Sequence, residues 1–274
     1  ATLFAATRIN SDADTLTLAG GVSSAGFGLT VGGAGNTTIS SALTLAAGGL
    51  TKDGSGTLTL SAANSFTGTT NVTNGTLLVG HSSALGSSSA VVIGANASLQ
   101  LQGGITVAAI PVTTPILRNL SGANGWSGPI TAQTGGALTL QSDMGTLTVS
   151  AVNAQSADST SQTLLLAGSA NGTVSGVITG ASGLTKSGSG SWTLSGANTY
   201  SGLTTVNGGT LQLGRNDALL TTGSITVASG TFDLSTYSQT TNVLKLLGGS
   251  ISGTGVLNAS SYSLESGSIG IALT

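Results

Sequence analysis

The sequence holds few side chains that could act on a substrate. Asp12 and Asp14, with Asn10 just before them, are spaced so that a loop could aim their oxygens at a calcium ion. No EF-hand glycine and glutamate follow, so a polar turn is the competing reading and no metal is assigned. His81 is the single histidine. A catalytic imidazole works with a nucleophile or an orienting carboxylate, and neither can be singled out, so His81 is expected at a surface turn. Lys52 adjoins Asp53, but the matching Lys186 adjoins a serine. An acid/base pair therefore does not recur, and both lysines are expected in solvated turns.

The eight acidic residues (Asp12, Asp14, Asp53, Asp143, Asp158, Asp217, Asp233 and Glu265) are spread thinly. A polysaccharide-degrading β-helix enzyme, the sharpest alternative of another class, needs clustered carboxylates and bases. Trp126, Trp192, Tyr200, Tyr237 and Tyr262 could form a sugar-stacking platform. Glycine-rich stretches such as "GGAGN" lack the Lys-Ser/Thr that completes a phosphate loop. No catalytic residue and no cofactor is assigned, and the expectation is a protein that is not an enzyme.

The elements that carry these residues follow from composition. Charged residues make up 5% of the 274, glycine numbers 44, and 39% are hydrophobic. Gly, Ser, Thr and Asn are weak helix formers, and little Glu, Lys or Arg is present to solvate a helix. Strands and turns remain, with enough apolar content to fold. The net charge of −2 and six scattered basic residues give no reason to bind nucleic acid. No run is long enough for a membrane helix, and no signal peptide is legible at the start, so the chain is expected to be a mature or excised part of something longer. There is no cysteine, which is compatible with export through a periplasm.

An internal repeat dominates the pattern. "GLTKDGSGTLTLSAANSFTGTTNVTNGTLLVG" (49–80) and "GLTKSGSGSWTLSGANTYSGLTTVNGGTLQLG" (183–214) align without a gap, with 19 of 32 positions identical. Gly49, Leu50 and Lys52 of the first copy match Gly183, Leu184 and Lys186 of the second. Gly54 and Gly56 match Gly188 and Gly190, and Asn64, Phe66 and Gly68 match Asn198, Tyr200 and Gly202. Gly75 and Leu77 match Gly209 and Leu211.

In "GTLTLS" and "GTLQLG" the leucines fall at every second position, which puts them on one face of a strand with Thr and Gln on the other. Trp192 replaces Leu58 at such an inward position. Short turns with no intervening helix, and near-identical units at a fixed offset, favour a parallel solenoid of one continuous domain, residues 1–274, over an antiparallel sandwich. Glycines then serve corners where φ is positive or backbones approach closely. With a turn of roughly 20 to 25 residues the chain makes about a dozen turns. Residues 108–130, which hold all three prolines, are expected to be an irregular insertion.

The "GLTKxGSGxxTLSxAN", aromatic, "xGxTxVxxGTL" signature resembles the passenger-associated repeat of bacterial autotransporters, also described as the autotransporter-associated β-strand repeat. The resemblance implies a right-handed parallel β-helix outside the cell, as a stalk, fibre or adhesin segment. No translocator barrel accompanies it, so a middle piece or a fibre subunit is expected. Its partners would be copies of itself stacked end to end, or further turns of one polypeptide; a host surface or glycan bound through 108–130 is the adhesive alternative.

Overall fold

The computed structural model describes residues 1–274. Strands of two to nine residues alternate with short turns, no helix occurs, and every strand pair is parallel. The chain coils around three faces. The first carries nine strands, from Thr7–Asn10 to Ile178–Thr179; the second carries fourteen, from Thr15–Leu18 to Ala272–Leu273. The third begins as three strands, Thr2–Leu3 to Leu43–Thr44, and resumes as nine, Thr106–Val107 to Ser268–Ile269. Corner residues bridge that gap: Ser65 N–H donates to Leu43 O, Ser87 N–H to Phe66 O and Thr106 N–H to Ser82 Oγ. Fourteen strands at the usual inter-strand spacing make a β-solenoid rod about 60 Å long.

Two-residue periodicity builds the rod. Leu58, Leu77, Leu99, Leu117, Leu140 and Leu166 stack in register on consecutive turns of the second face, all fully buried. They belong to one hydrophobic cluster of 58 buried residues. Outward neighbours form polar columns, as where Thr76 and Ser98 hydroxyls bond at 3.0 Å. Turn length varies, since Leu58 and its partner Leu77 are 19 residues apart while Leu140 and its partner Leu166 are 26 apart. Corners absorb the difference and the strands keep register.

The glycines of the repeat have two distinct jobs. Gly75 and Gly209 adopt φ of 74° and 57°, the left-handed region that other residues enter at a cost. Gly190 has an ordinary φ, but a Cβ there would lie 1.9 Å from Ala170 O of the preceding turn. Close stacking of corners is what it permits.

The stretch 108–130 is not an irregular insertion. It supplies Val112–Thr114, Ile116–Ser121 and Ala123–Trp126, each paired in register with turns before and after. Its prolines stand at corners, where no ladder N–H is needed, and Pro111 O and Pro129 O accept bonds from Val91 and Val112. The excursion from the rod lies later. Residues 155–161 form a small loop closed by an antiparallel bridge between Gln155 and Ser161. There Asp158 accepts from Ser156 and Thr160, which holds its carboxyl down at about 2.

Candidate functional site

Asp12 and Asp14 lie exposed in the turn between Thr7–Asn10 and Thr15–Leu18. No group of three or more His, Cys, Asp or Glu gathers anywhere in the structure, and the charge near Asp12 is the Arg8 guanidinium. His81 is half-buried, its Nδ1 accepting from Ser83 N–H at 3.0 Å in a turn.

Carboxylates are used between turns. Asp53 pairs with Arg8, Asp143 with Arg118 and Glu265 with Lys245, each pair joining different turns of the rod. The Arg8 hydrogen bond holds the Asp53 carboxyl below its ordinary value. Asp233 and Asp217 accept from the backbone N–H of Ser235 and Thr240. These bonds hold corners and draw no pair of carboxylates around a cleft.

The two repeat lysines correct the expectation of solvated turns. In "LTK" the alternation places Leu and Lys on the same side, so Lys52 stacks in register with Val31 and Val72, and Lys186 with Leu166 and Val206. Both are buried, at 3% and 0% exposure. Their aliphatic stems fill a hydrophobic column while the ammonium ends reach the corner. Lys186 Nζ donates to the carbonyls of Ser187 at 2.7 Å, Gly188 at 3.0 Å and Gly208 at 3.1 Å, and Lys52 Nζ donates to Gly54 O. Burial lowers both lysines, Lys186 to about 8.

The repeat asparagines bind three turns together. Asn64 Oδ1 accepts from Leu43 N–H at 2.8 Å in the turn before, and its Nδ2 donates to Ala84 O in the turn after. Asn198 does the same with Ile178 N–H at 2.7 Å and Ala218 O at 2.8 Å. Both are buried, so each amide satisfies main-chain groups that water does not reach. Phe66 and Tyr200, two residues on, are buried as well, and the Tyr200 hydroxyl bonds Thr204 Oγ1 at 2.7 Å.

Each repeat is therefore a strand, a lysine-held corner, a second strand, an asparagine-aromatic corner that takes the place of a third strand, and two strands of the next turn. The residues lie at residues 50–79 and 184–213, which the passenger-associated-transport-repeat family matches. The chain carries autotransporter passenger repeats. It is also similar to the adhesin BmaC autotransporter of Brucella suis biovar 1 (strain 1330), 44% identical over 73 residues. That stretch covers 26% of this chain and 2% of the relative, so the chain spans a small fraction of that protein's length. No solved structure matches. Autotransporter passengers are surface-exposed or secreted.

The two passenger repeats do not occupy the same side of the rod. The first places "LTK" on the first face and its aromatic corner on the third; the second lies six turns and one face later, with "LTK" on the second face and its corner on the first. The same local code thus works from two different faces. The aromatics weighed for sugar stacking are turned inward: Trp126 and Trp192 are buried, their indole N–H groups held by Ile110 O and Ala167 O, and Tyr237 and Tyr262 pack partly against the core. The exposed rings are Phe4 and Phe27, at 86% and 41%. Their place in glycine- and alanine-rich corners, off the alternating pattern, is the sequence signal of that exposure.

Proposed function

We propose that the chain is a rigid, non-enzymatic extracellular rod, the stalk or fibre part of an autotransporter-like surface protein exported through the periplasm. The observation that carries this reading is the bonding of consecutive turns by Asn64 and Asn198, with the ionic side chains spent on corners and inter-turn pairs. Parallel ladders running the length of the rod resist bending and leave few loose segments. On this reading the rod extends by the same stacking that joins its own turns, through further turns of the same polypeptide or through a second copy.

Electron microscopy of the 274-residue chain over a concentration series tests this. Straight rods about 60 Å long, joining into multiples of that length, are the expected result. The adhesin reading draws on the printed name of the Brucella relative. Rods that stay single at all concentrations, and that make beads coated with them bind a host surface, would favour it.

A further inference from the structure

Phe4 and Phe27 occupy the corners that lead from the third face to the first on two successive turns. A groove of about 400 Å³ runs along the rod from these corners: its lining includes Gly28, next to Phe27 in the chain, and Ala6, two residues after Phe4. Small residues (Ala6, Gly28, Gly49 and Gly68) leave the concavity, and the outward column of Thr30, Thr51 and Asn71, paired in register, forms its wall. Thr69 and Ser89, whose hydroxyls bond at 3.3 Å, line it further along. The lining residues come from five levels of the solenoid, a length of about 20 Å. No charged residue lines it. Arg8, at the head of the same outward column, is held by Asp53.

We propose that this groove binds an uncharged linear polysaccharide strand lying along the rod axis. Hydroxyl and amide groups repeating once per turn can exchange hydrogen bonds with sugar hydroxyls, while exposed rings offer apolar faces to the C–H side of a sugar. The absence of charge favours a neutral polymer over uronates or sialylated chains. A peptide strand is disfavoured, because the main-chain groups of this face are already engaged in the ladder and offer no free edge for strand addition. The site is independent of the stalk reading: a rod can carry it or lack it.

The test is affinity electrophoresis of the 274-residue chain in native gels containing dextran, mannan, laminarin or hydroxyethyl cellulose, with polygalacturonate as the anionic comparison. At least one neutral polymer should retard the chain. The F4A/F27A variant should bind that polymer about tenfold more weakly, and T30V/T51V, which removes hydroxyls while keeping shape, about fivefold. Unchanged circular dichroism and melting establish that both variants are folded. A second hydroxyl-lined concavity of about 370 Å³, which includes Ser127 and Ser150, has no exposed aromatic next to its lining residues in the chain, whereas Phe27 adjoins Gly28 of the groove, so S127A/S150A should leave retardation unchanged. The proposal is overturned by no retardation in any of the four neutral gels or by retardation in polygalacturonate alone. It is equally overturned by retardation that survives both groove variants, or that S127A/S150A abolishes.

Discussion

Lys186 places a cation in a hydrophobic column, and its environment dictates how the fold responds to alkali. Burial lowers the folded-state value to about 8 from an ordinary 10.5. Between those values the unfolded chain keeps a proton that the folded chain has lost, so stability rises with pH there, by up to about 1.4 kcal/mol per pH unit for one proton. Lys52 shifts in the same direction. Buried Tyr200 shifts upward from 10.0, so above that pH the unfolded chain ionises first and stability falls. Denaturant unfolding should therefore show a maximum near pH 10. K186M should flatten the rise, K52M/K186M should remove it, and Y200F should remove the Tyr200 contribution to the fall. Equal slopes below pH 10 in wild type and K52M/K186M would refute the account. The burial of these lysines is legible in "LTK", since period-2 alternation puts Lys on the same side as Leu; the charge of the residue type points the other way and masks the period.

The strand pairs show how the two repeats tolerate different core sizes. Leu58 stacks on Thr37, whereas Trp192 at the matching place stacks on Gly172. A Cβ on Gly172 would lie 2.6 Å from the indole ring, which its bond to Ala167 O and its neighbour Leu211 hold in place. Gly172→Ala should thus cost about 1–3 kcal/mol by overpacking, and Trp192→Leu alone a similar amount by leaving a void. The double variant restores the first repeat's size balance, so a double-mutant cycle should give a favourable coupling above about 1 kcal/mol. Additive effects would mean that ring and glycine do not share a volume. Alternating leucines made such strands legible, and so did the gapless repeat. What faced Trp192 was hidden, because stacking partners lie about a turn away in sequence and turn length varies. The prolines misled for a related reason: in 108–130 they mark corners of ordinary turns, which proline content alone does not distinguish from a loop.

At the scale of the whole molecule each turn touches its neighbours, so stability propagates along one dimension. The asparagine bonds reach one turn either way, and the ion pairs join Arg118 to the next turn and Arg8 to the second next. Nothing longer in range ties the first repeat to the second except the continuous stack between them. A local insult should therefore be felt locally. Gly190→Val puts side-chain atoms where a Cβ already meets Ala170 O at 1.9 Å, forcing that corner apart. Hydrogen exchange should show lost protection in Thr163–Ala167, Ser191–Leu194 and Thr210–Leu213, decaying over a few turns. Leu29–Gly32 and Thr57–Leu60 should exchange as in the wild type. A compact domain with one global unfolding reaction would instead lose protection in all five segments by the same factor, and that pattern would contradict a rod whose turns are held by nearest neighbours.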